Sequence, residues 1–241
     1  MTSEPVGQGR PSPVLSIELS QRAGGVAVVD SSGRNASVDV VGGRRETDDL
    51  APAVATVLKR AGLEPSDLRG VAVDVGPGGF TGVRVSVAFA QMFAEAIGVP
   101  VFAVPSPLVA TASTPGLEES VGIVDVCVAA KNESAWRTRF VRATVDELWR
   151  ISEAGRLVEA LGDLSKVDLL LADEHLGDTL RDAYRDAAIG VIEPGYSACA
   201  LGGLVLDGHP DLRRIEDPAQ LLPIYPRVPE AVRVWRTRIP R

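Results

Sequence analysis

The sequence predicts an α/β protein in which mixed sheets are flanked by helices, and three observations carry that prediction. The first is one unbroken unit of strand, glycine-rich turn, helix and strand, VAVDVGPGGFTGVRVSVAFAQMFAEAIGVPVFAV, over Val71–Val104. The second is a run of three short β-branched segments ahead of it, divided by small polar turns. The third is an amphipathic helical pattern lying between the two. Strands that alternate with helices need apolar cover on both sheet faces, which is the α/β arrangement.

Taken in order, Val14–Leu19 and Gly25–Asp30 read as strands joined by Ser20–Gly24, and Ser31-Ser32-Gly33 turns the chain into a third strand, Ala36–Val41. Three strands with short turns make a meander. Glu46–Ala61 follows as a helix with Leu50, Val54, Val57, Leu58 and Ala61 on one face and Gly62 as its stop. Thr47 or Asp48 caps it, and Pro52 is tolerated early in the helix. Val71–Val75 is the next strand. Thr81 caps a helix that runs to Ile97, where Gly98 and Pro100 end it, and Val99–Val104 is the strand beyond. This order is that of one actin-like or ribonuclease-H-like lobe.

A second segment starts after Pro105-Ser106-Pro107. Its candidate strands are Val121–Ala130, Ser134–Val141 and Leu169–Ala172, and its candidate helices are Asp146–Arg150, Asp178–Ala188 and Tyr196–Leu206. Leu222-Pro223-Ile224-Tyr225-Pro226 reads as extended. The division expected is a disordered tail over 1–13, a first lobe over 14–108, a second lobe over 109–228 whose last helix packs back on the first, and a basic tail over 229–241 with Arg233, Arg236, Arg238 and Arg241. No internal repeat is visible in the sequence.

Composition narrows the function. A net charge of −7 argues against a general nucleic-acid binder, which needs a basic surface. The first 13 residues lack the apolar core of a secretory signal, and no apolar run approaches the ~20 residues that cross a bilayer. A soluble, cytoplasmic protein without membrane contact is expected. Cys127 and Cys199 fit no CxxC spacing and read as ordinary thiols of a reducing compartment.

The helix over Thr81–Ile97 holds the candidate site. No charged side chain lies between Arg84 and Glu95, so the helix is covered on more than one side. Gly82, Ser86, Ala90 and Ala94 recur every four residues and form a stripe that a second helix can approach closely. The stripe belongs either to the domain's own core or to a contact with a partner subunit. The partner reading places Gly82, Val83, Ser86, Val87, Ala90, Gln91 and Ala94 at the interface, with Leu50 and Val54 of the preceding helix.

Catalytic patterns are scarce. GPGGFTG lacks the GK[ST] ending of a P-loop and the third glycine of the dinucleotide fingerprint. Its amides open a helix, so Gly78, Gly79 and Thr81 are weak anion-site candidates. The histidines, His175 and His209, make no HExxH or HxxxH pair, and no serine or cysteine has an activating context. In an actin-like lobe the first hairpin holds nucleotide phosphates, with an aspartate ending strand one and a glycine two residues on. Here that stretch reads Ile17-Glu18-Leu19-Ser20. No catalytic residue and no metal site are assigned.

With these residues in view, the chain resembles the bacterial TsaB (YeaZ) family of tRNA threonylcarbamoyladenosine biosynthesis. VDVGPGGFTGVRVSVAFAQMFAEAIGVPVFAVPSPLVA, Val73–Ala110, is similar to that family's GPGSFTGLR helix and the GIP and SSL elements after it. Leu222–Ala231 is similar to its closing P-x-Y-x-R segment. The resemblance implies two lobes of the actin-like ATPase (ASKHA, ribonuclease-H-like) fold and no independent catalysis. It also implies a scaffold that dimerises through first-lobe helices, with itself or with the transferase paralogue TsaD, and that TsaE, an ATPase, joins the complex. TsaD modifies adenosine 37 of tRNAs reading ANN codons, so tRNA contact is indirect. TsaD holds its metal with an HxxxH pair on a first-lobe helix, and Glu46–Ala61 contains no histidine.

The resemblance implies no required cofactor, with at most weak ATP or ADP binding, against which Glu18 and Leu19 argue. The chain departs from the family at Glu18-Leu19-Ser20, where Asp-Thr-Ser is usual. It departs again at Val126–Glu133, where Asp-Ala-Arg-x-x-Glu is usual and Glu133 stands as a remnant. Two alternatives stand beside the scaffold: an actin-like ATPase or small-molecule kinase, and a divergent stand-alone homodimer.

Overall fold

The computed structural model describes residues 10–41, 46–117, 119–120 and 122–227. The basic tail over 229–241 lies outside the described residues, as do residues 1–9 and the side chains of the two expected caps Thr47 and Asp48.

The chain divides into two compact units. The first holds the described residues up to Val75, then Gly79–Val104 and Tyr196–Leu222. The second holds Gly76–Gly78, Pro105–Gly195 and the described residues from Pro223 onward. A linear division at 108/109 therefore gives way to a first unit that takes back a C-terminal piece.

In the first unit, β1 (Val14–Glu18), β2 (Ala23–Val29) and β3 (Asn35–Val41) form the antiparallel meander. Helix α1 (Glu46–Ala61) leads to β4 (Gly70–Asp74), α2 (Phe80–Ile97) and β5 (Val101–Val104). β4 pairs with β1 in parallel, Val14 opposite Gly70 and Ile17 opposite Val73, and β5 pairs with β4. Parallel pairing needs a crossover, which α1 and α2 supply. The expected loose tail is tied down at its end: Arg69 N–H donates to Pro13 O at 2.8 Å, and the hydroxyls of Ser12 and Ser31 bond at 3.1 Å.

The second unit opens with α3 (Ser106–Ser113), which packs on β6 (Gly122–Ala129). The Ser106-Pro107 boundary is thus the start of a helix, since proline is tolerated in a first turn where no N–H partner is needed. β6 is followed by β7 (Ala135–Arg142), β8 (Arg150–Val158), β9 (Leu169–Leu171), α4 (Asp178–Asp186) and β10 (Gly190–Ile192). The helix expected over Asp146–Arg150 is absent. Those residues lie in turns up to β8, whose side chains alternate between exposed and half-buried with the period of an edge strand.

The last helix, α5 (Ala198–Leu206), and β11 (Arg213–Ile215) return to the first unit. α5 packs on β1 and β2, where Ser16 Oγ donates to Ala198 O at 2.6 Å, and β11 pairs antiparallel with β5. The first sheet runs β11-β5-β4-β1-β2-β3 and the second β10-β9-β6-β7-β8. Each contains a three-strand meander whose first strand pairs in parallel with the fourth, and the fourth with the fifth. The same wiring twice, with helices on mixed sheets, is the actin-like, ribonuclease-H-like fold.

Candidate functional site

Helix α2 is set by its two ends. Its N-cap is Gly79 rather than Thr81: Thr81 is exposed and no side chain caps the first turn. The Gly79 amide instead donates to Ser20 O at 2.7 Å, so the turn after β1 holds the start of α2. At the other end Gly98 takes the left-handed conformation, φ 72°, and its N–H bonds Ala94 O at 2.9 Å.

The small-residue stripe faces inward. Gly82, Val83, Ser86, Val87, Ala90 and Ala94 are all buried within their own unit. Gly82 lies on the backbone of Leu19, where a Cβ would come 2.0 Å from the carbonyl oxygen, and Ser86 Oγ turns back to Val83 O at 3.0 Å. Small residues here let α2 sit close to β1 and β4, which it contacts directly. Leu50 and Val54 are buried as well, on the face of α1 that packs on β2 and β3. Gln91 is half-buried and donates to Leu221 O at 3.0 Å. Gly82, Val83, Ser86, Val87, Ala90, Ala94, Leu50 and Val54, expected at an interface, are thus buried in the core of their own unit, with Gln91 half-buried beside them.

The opposite face of α2 carries what the stripe reading missed. Phe80 and Met92 are 57% and 62% exposed, and Thr81, Arg84, Ala88, Glu95 and Ala96 are exposed between and around them. Phe89 and Phe93, half-buried at its margin, stack with centroids 5.5 Å apart. The Arg84 guanidinium lies 3.7 Å over the Phe80 ring. Helix α1, which touches α2, exposes Ala51, Pro52, Ala55 and Thr56. Exposed apolar side chains along a helix face suit a protein partner better than a small molecule. The signal in the sequence was charge: Arg84 and Glu95 stand 11 residues apart, three helical turns, and so mark the solvent side.

The anion candidates Gly78, Gly79 and Thr81 are all exposed. Gly79 and Thr81 belong to the first unit and Gly78, exposed, to the second, while the Gly79 amide is already bonded to Ser20 O. At the end of β1 the Glu18 carboxyl is fully buried. Its Oε1 accepts from Ser20 N at 2.8 Å and from Ser20 Oγ at 2.5 Å, and its Oε2 has no hydrogen-bond partner among the described residues. Burial raises its pKa above the ordinary value, and the Ser20 bonds offset part of that. Asp74, also fully buried, ends the neighbouring parallel strand β4. Glutamate and leucine at 18 and 19 thus fill the first turn with side chain and with the contact to Gly82.

The second unit has its own polar centre. Asp125 is fully buried and accepts from Tyr184 Oη at 2.8 Å, Arg139 Nε at 2.7 Å and Arg139 Nη2 at 3.0 Å. Glu153 bonds both Arg137 and Arg139, brought opposite Arg139 by register shifts between β7 and β8. Hydrogen bonding to Asp125 raises the pKa of Arg139, burial raises that of Tyr184, and burial pushes the Cys127 thiol up to about 12. These groups are held rather than poised. In the closing segment, Arg227 Nη2 donates to Lys131 O and to Ser134 Oγ at 2.7 Å, which fastens that segment to the β6–β7 turn. His175 is exposed and His209 buried, and among the described residues no group of three His, Cys, Asp or Glu side chains could hold a metal. No helix of the described residues is long and apolar enough to cross a membrane.

Comparison with known proteins agrees with this architecture. The family model for tRNA N6-adenosine threonylcarbamoyltransferase, TsaD, matches residues 41–147. An uncharacterized protein of Mycobacterium tuberculosis is 29% identical over 202 residues, 83% of this chain and 82% of that one. The tRNA threonylcarbamoyladenosine biosynthesis protein TsaB of Bacillus subtilis is 30% identical over 93 residues, 39% of this chain and 41% of that one, and TsaB of Escherichia coli is 31% identical over 91 residues, 38% and 39%. In fold, YeaZ from Pseudomonas aeruginosa superposes with a TM-score of 0.69 over 89% of this chain and 99% of that one, at 21% identity. The family model over residues 41–147, the partial TsaB matches and the shared fold all make this chain similar to TsaB.

Proposed function

We propose that this chain is a non-catalytic scaffold that docks a TsaD-type transferase through the outer face of α2 and the adjoining face of α1, in the cytoplasm. The complex then threonylcarbamoylates adenosine 37 of tRNAs reading ANN codons, with a TsaE-type ATPase as a further member and tRNA held by the transferase. One observation carries this reading. Phe80, Ala88 and Met92 leave an apolar stripe exposed on a helix whose other side is already packed. A tRNA modification role follows from the TsaB likeness, and TsaB is named as a biosynthesis protein in the relatives. Light scattering of the chain, alone and mixed with the TsaD-type protein of the same organism, tests it. A mixed complex of one-to-one mass supports the scaffold. A chain that ignores the transferase refutes it, and a dimer that persists in the mixture favours a stand-alone homodimer.

A second reading, an actin-like ATPase or small-molecule kinase, draws on Glu18 and Asp74, two buried carboxyl groups at the ends of adjacent parallel strands, with Glu18 Oε2 unbonded among the described residues. Magnesium-dependent ATP hydrolysis by the purified chain that disappears in Glu18→Gln would establish it. No hydrolysis above background refutes it.

A further inference from the structure

Residues 229–241 carry a charge opposed to that of the chain as a whole. They hold Arg233, Arg236, Arg238 and Arg241 against one acidic residue, Glu230, in a protein whose net charge is −7. All four cations are arginine, whose flat guanidinium bonds a phosphate through two N–H groups and stacks on aromatic faces. Trp235 lies among them and offers a ring on which a base can stack. An acidic protein surface would call for the charges and not for the ring. The point from which this stretch leaves is fixed by the described residues. Arg227 Nη2 donates to Lys131 O and to Ser134 Oγ at 2.7 Å, and Ser134 is fully buried. Between these two partners Asn132 and Glu133 both take the left-handed conformation, φ 60° and 57°, in a turn closed by Ala130 N–H to Ser134 O at 2.8 Å. Glu133 is packed against Gly177, where a Cβ would come 2.9 Å from the Glu133 Cα. The arginines therefore follow a firmly held corner of the second unit, and the stretch can reach up to roughly 45 Å from it.

We infer that residues 229–241 are an RNA-contacting arm, whose four arginines neutralise phosphates of a tRNA backbone while Trp235 stacks on an unpaired base. The inference rests on the reading of the chain as a member of a tRNA-modifying complex, and it gives the chain a contact of its own with the tRNA beside that of the transferase. The acidic remainder of the chain repels RNA, which confines the contact to the arm. Phosphate contacts hold and orient a nucleic acid without reading its sequence, so the arm adds affinity and not the choice of tRNA.

Fluorescence anisotropy of a labelled tRNA, titrated with the full chain at rising salt, tests the arm. The wild type binds at about 50 mM salt, and log affinity falls against log salt with a slope of about 3, since each phosphate contact contributes about 0.7–0.9. Replacing Arg233, Arg236, Arg238 and Arg241 together by alanine lowers the affinity about tenfold or more and takes the slope close to zero. Arg236→Ala alone lowers the slope by about 0.7–0.9, which keeps the test open should the fourfold variant fail to fold in a thermal melt. Trp235→Ala weakens binding of a single-stranded oligonucleotide about fivefold or more and leaves the slope unchanged. A wild-type chain that does not bind tRNA at low salt overturns the inference, as does a folded fourfold variant that binds like the wild type. Polyglutamate that competes as well as tRNA at equal charge also overturns it and assigns the arm to an acidic protein partner. Light scattering with the transferase is run on the same variants. A mixed complex that forms while tRNA binding fails loses only the arm. Arm-dependent tRNA binding by a chain that ignores the transferase keeps the arm and removes the scaffold reading.

Discussion

Gly82 and Leu19 meet backbone to backbone: a methyl group added at Gly82 would lie 2.0 Å from the Leu19 carbonyl oxygen. The Gly79–Ser20 hydrogen bond lies beside this contact, so the first turn of α2 is seated on the end of β1. Neither backbone can yield without unseating the helix. Gly82→Ala is therefore expected to cost about 1–3 kcal/mol through overpacking, read from urea unfolding. An unchanged midpoint at unchanged slope contradicts the contact.

Opposite faces of α2 are expected to answer the same substitution differently. Ala90→Asp places an unpaired carboxylate where the chain leaves no exposure, and a loss of several kcal/mol or outright unfolding follows. Ala88→Asp is expected to leave thermal stability within about 0.5 kcal/mol and to abolish docking. Circular dichroism melts and a binding assay on both variants separate the two faces.

The first lobe was legible because its signals are local. β-branched runs, Gly62 and Gly98 as stops, and 3.6-residue periodicity over Glu46–Ala61 fall where β1–β5, α1 and α2 stand. The second unit was harder. β10 and β11 are three residues each, too short to show a period, and β8 alternates between half-buried and exposed residues that include Arg150, Glu153 and Arg156. Nor could topology be read from residue identity, since the two sheets repeat one wiring with no repeat in the sequence. At the candidate site the helix was found but its sides were exchanged. A four-residue recurrence of small side chains fits a helix-on-sheet seat as well as a helix–helix contact.

The buried ion network of the second unit is expected to be intolerant of a missing partner. Asp125→Ala leaves the Tyr184 hydroxyl and Arg139 Nε without their Asp125 acceptor, and Arg137 and Arg139 with Glu153 alone, at a buried position. Removing one member of such a buried set costs about 3–5 kcal/mol. Calorimetric unfolding of the variant measures this, and a loss below about 1 kcal/mol, the scale of an exposed pair, would show that the network is dispensable.

Thiol reactivity follows burial. Cys127 is buried against Tyr184, and burial holds its pKa at about 12, so it carries almost no thiolate at neutral pH. Mass spectrometry after brief alkylation of the native chain is expected to find Cys127 unmodified, and labelled only in denaturant. Native labelling at Cys127 contradicts the packing.

Glu18 makes stability depend on pH in a stated direction. Its folded pKa is raised by burial, so the folded state holds a proton that the unfolded state releases, and its contribution is full below the ordinary value of 4.5 and fades as pH rises toward the folded pKa. Glu18→Gln removes this fading. The variant is expected to gain on the wild type as pH is raised above 4.5, in unfolding curves taken at matched pH. A difference that stays flat across that range would mean that the carboxyl is charged when folded.

The most direct test of the account is the affinity of the TsaD-type transferase for the chain, measured by calorimetry, wild type against Met92→Asp. The outer face of α2 as docking surface predicts a loss of roughly a hundredfold, the scale of a central buried contact, with an unchanged melting temperature. Equal affinities would contradict it and move the docking surface off this helix.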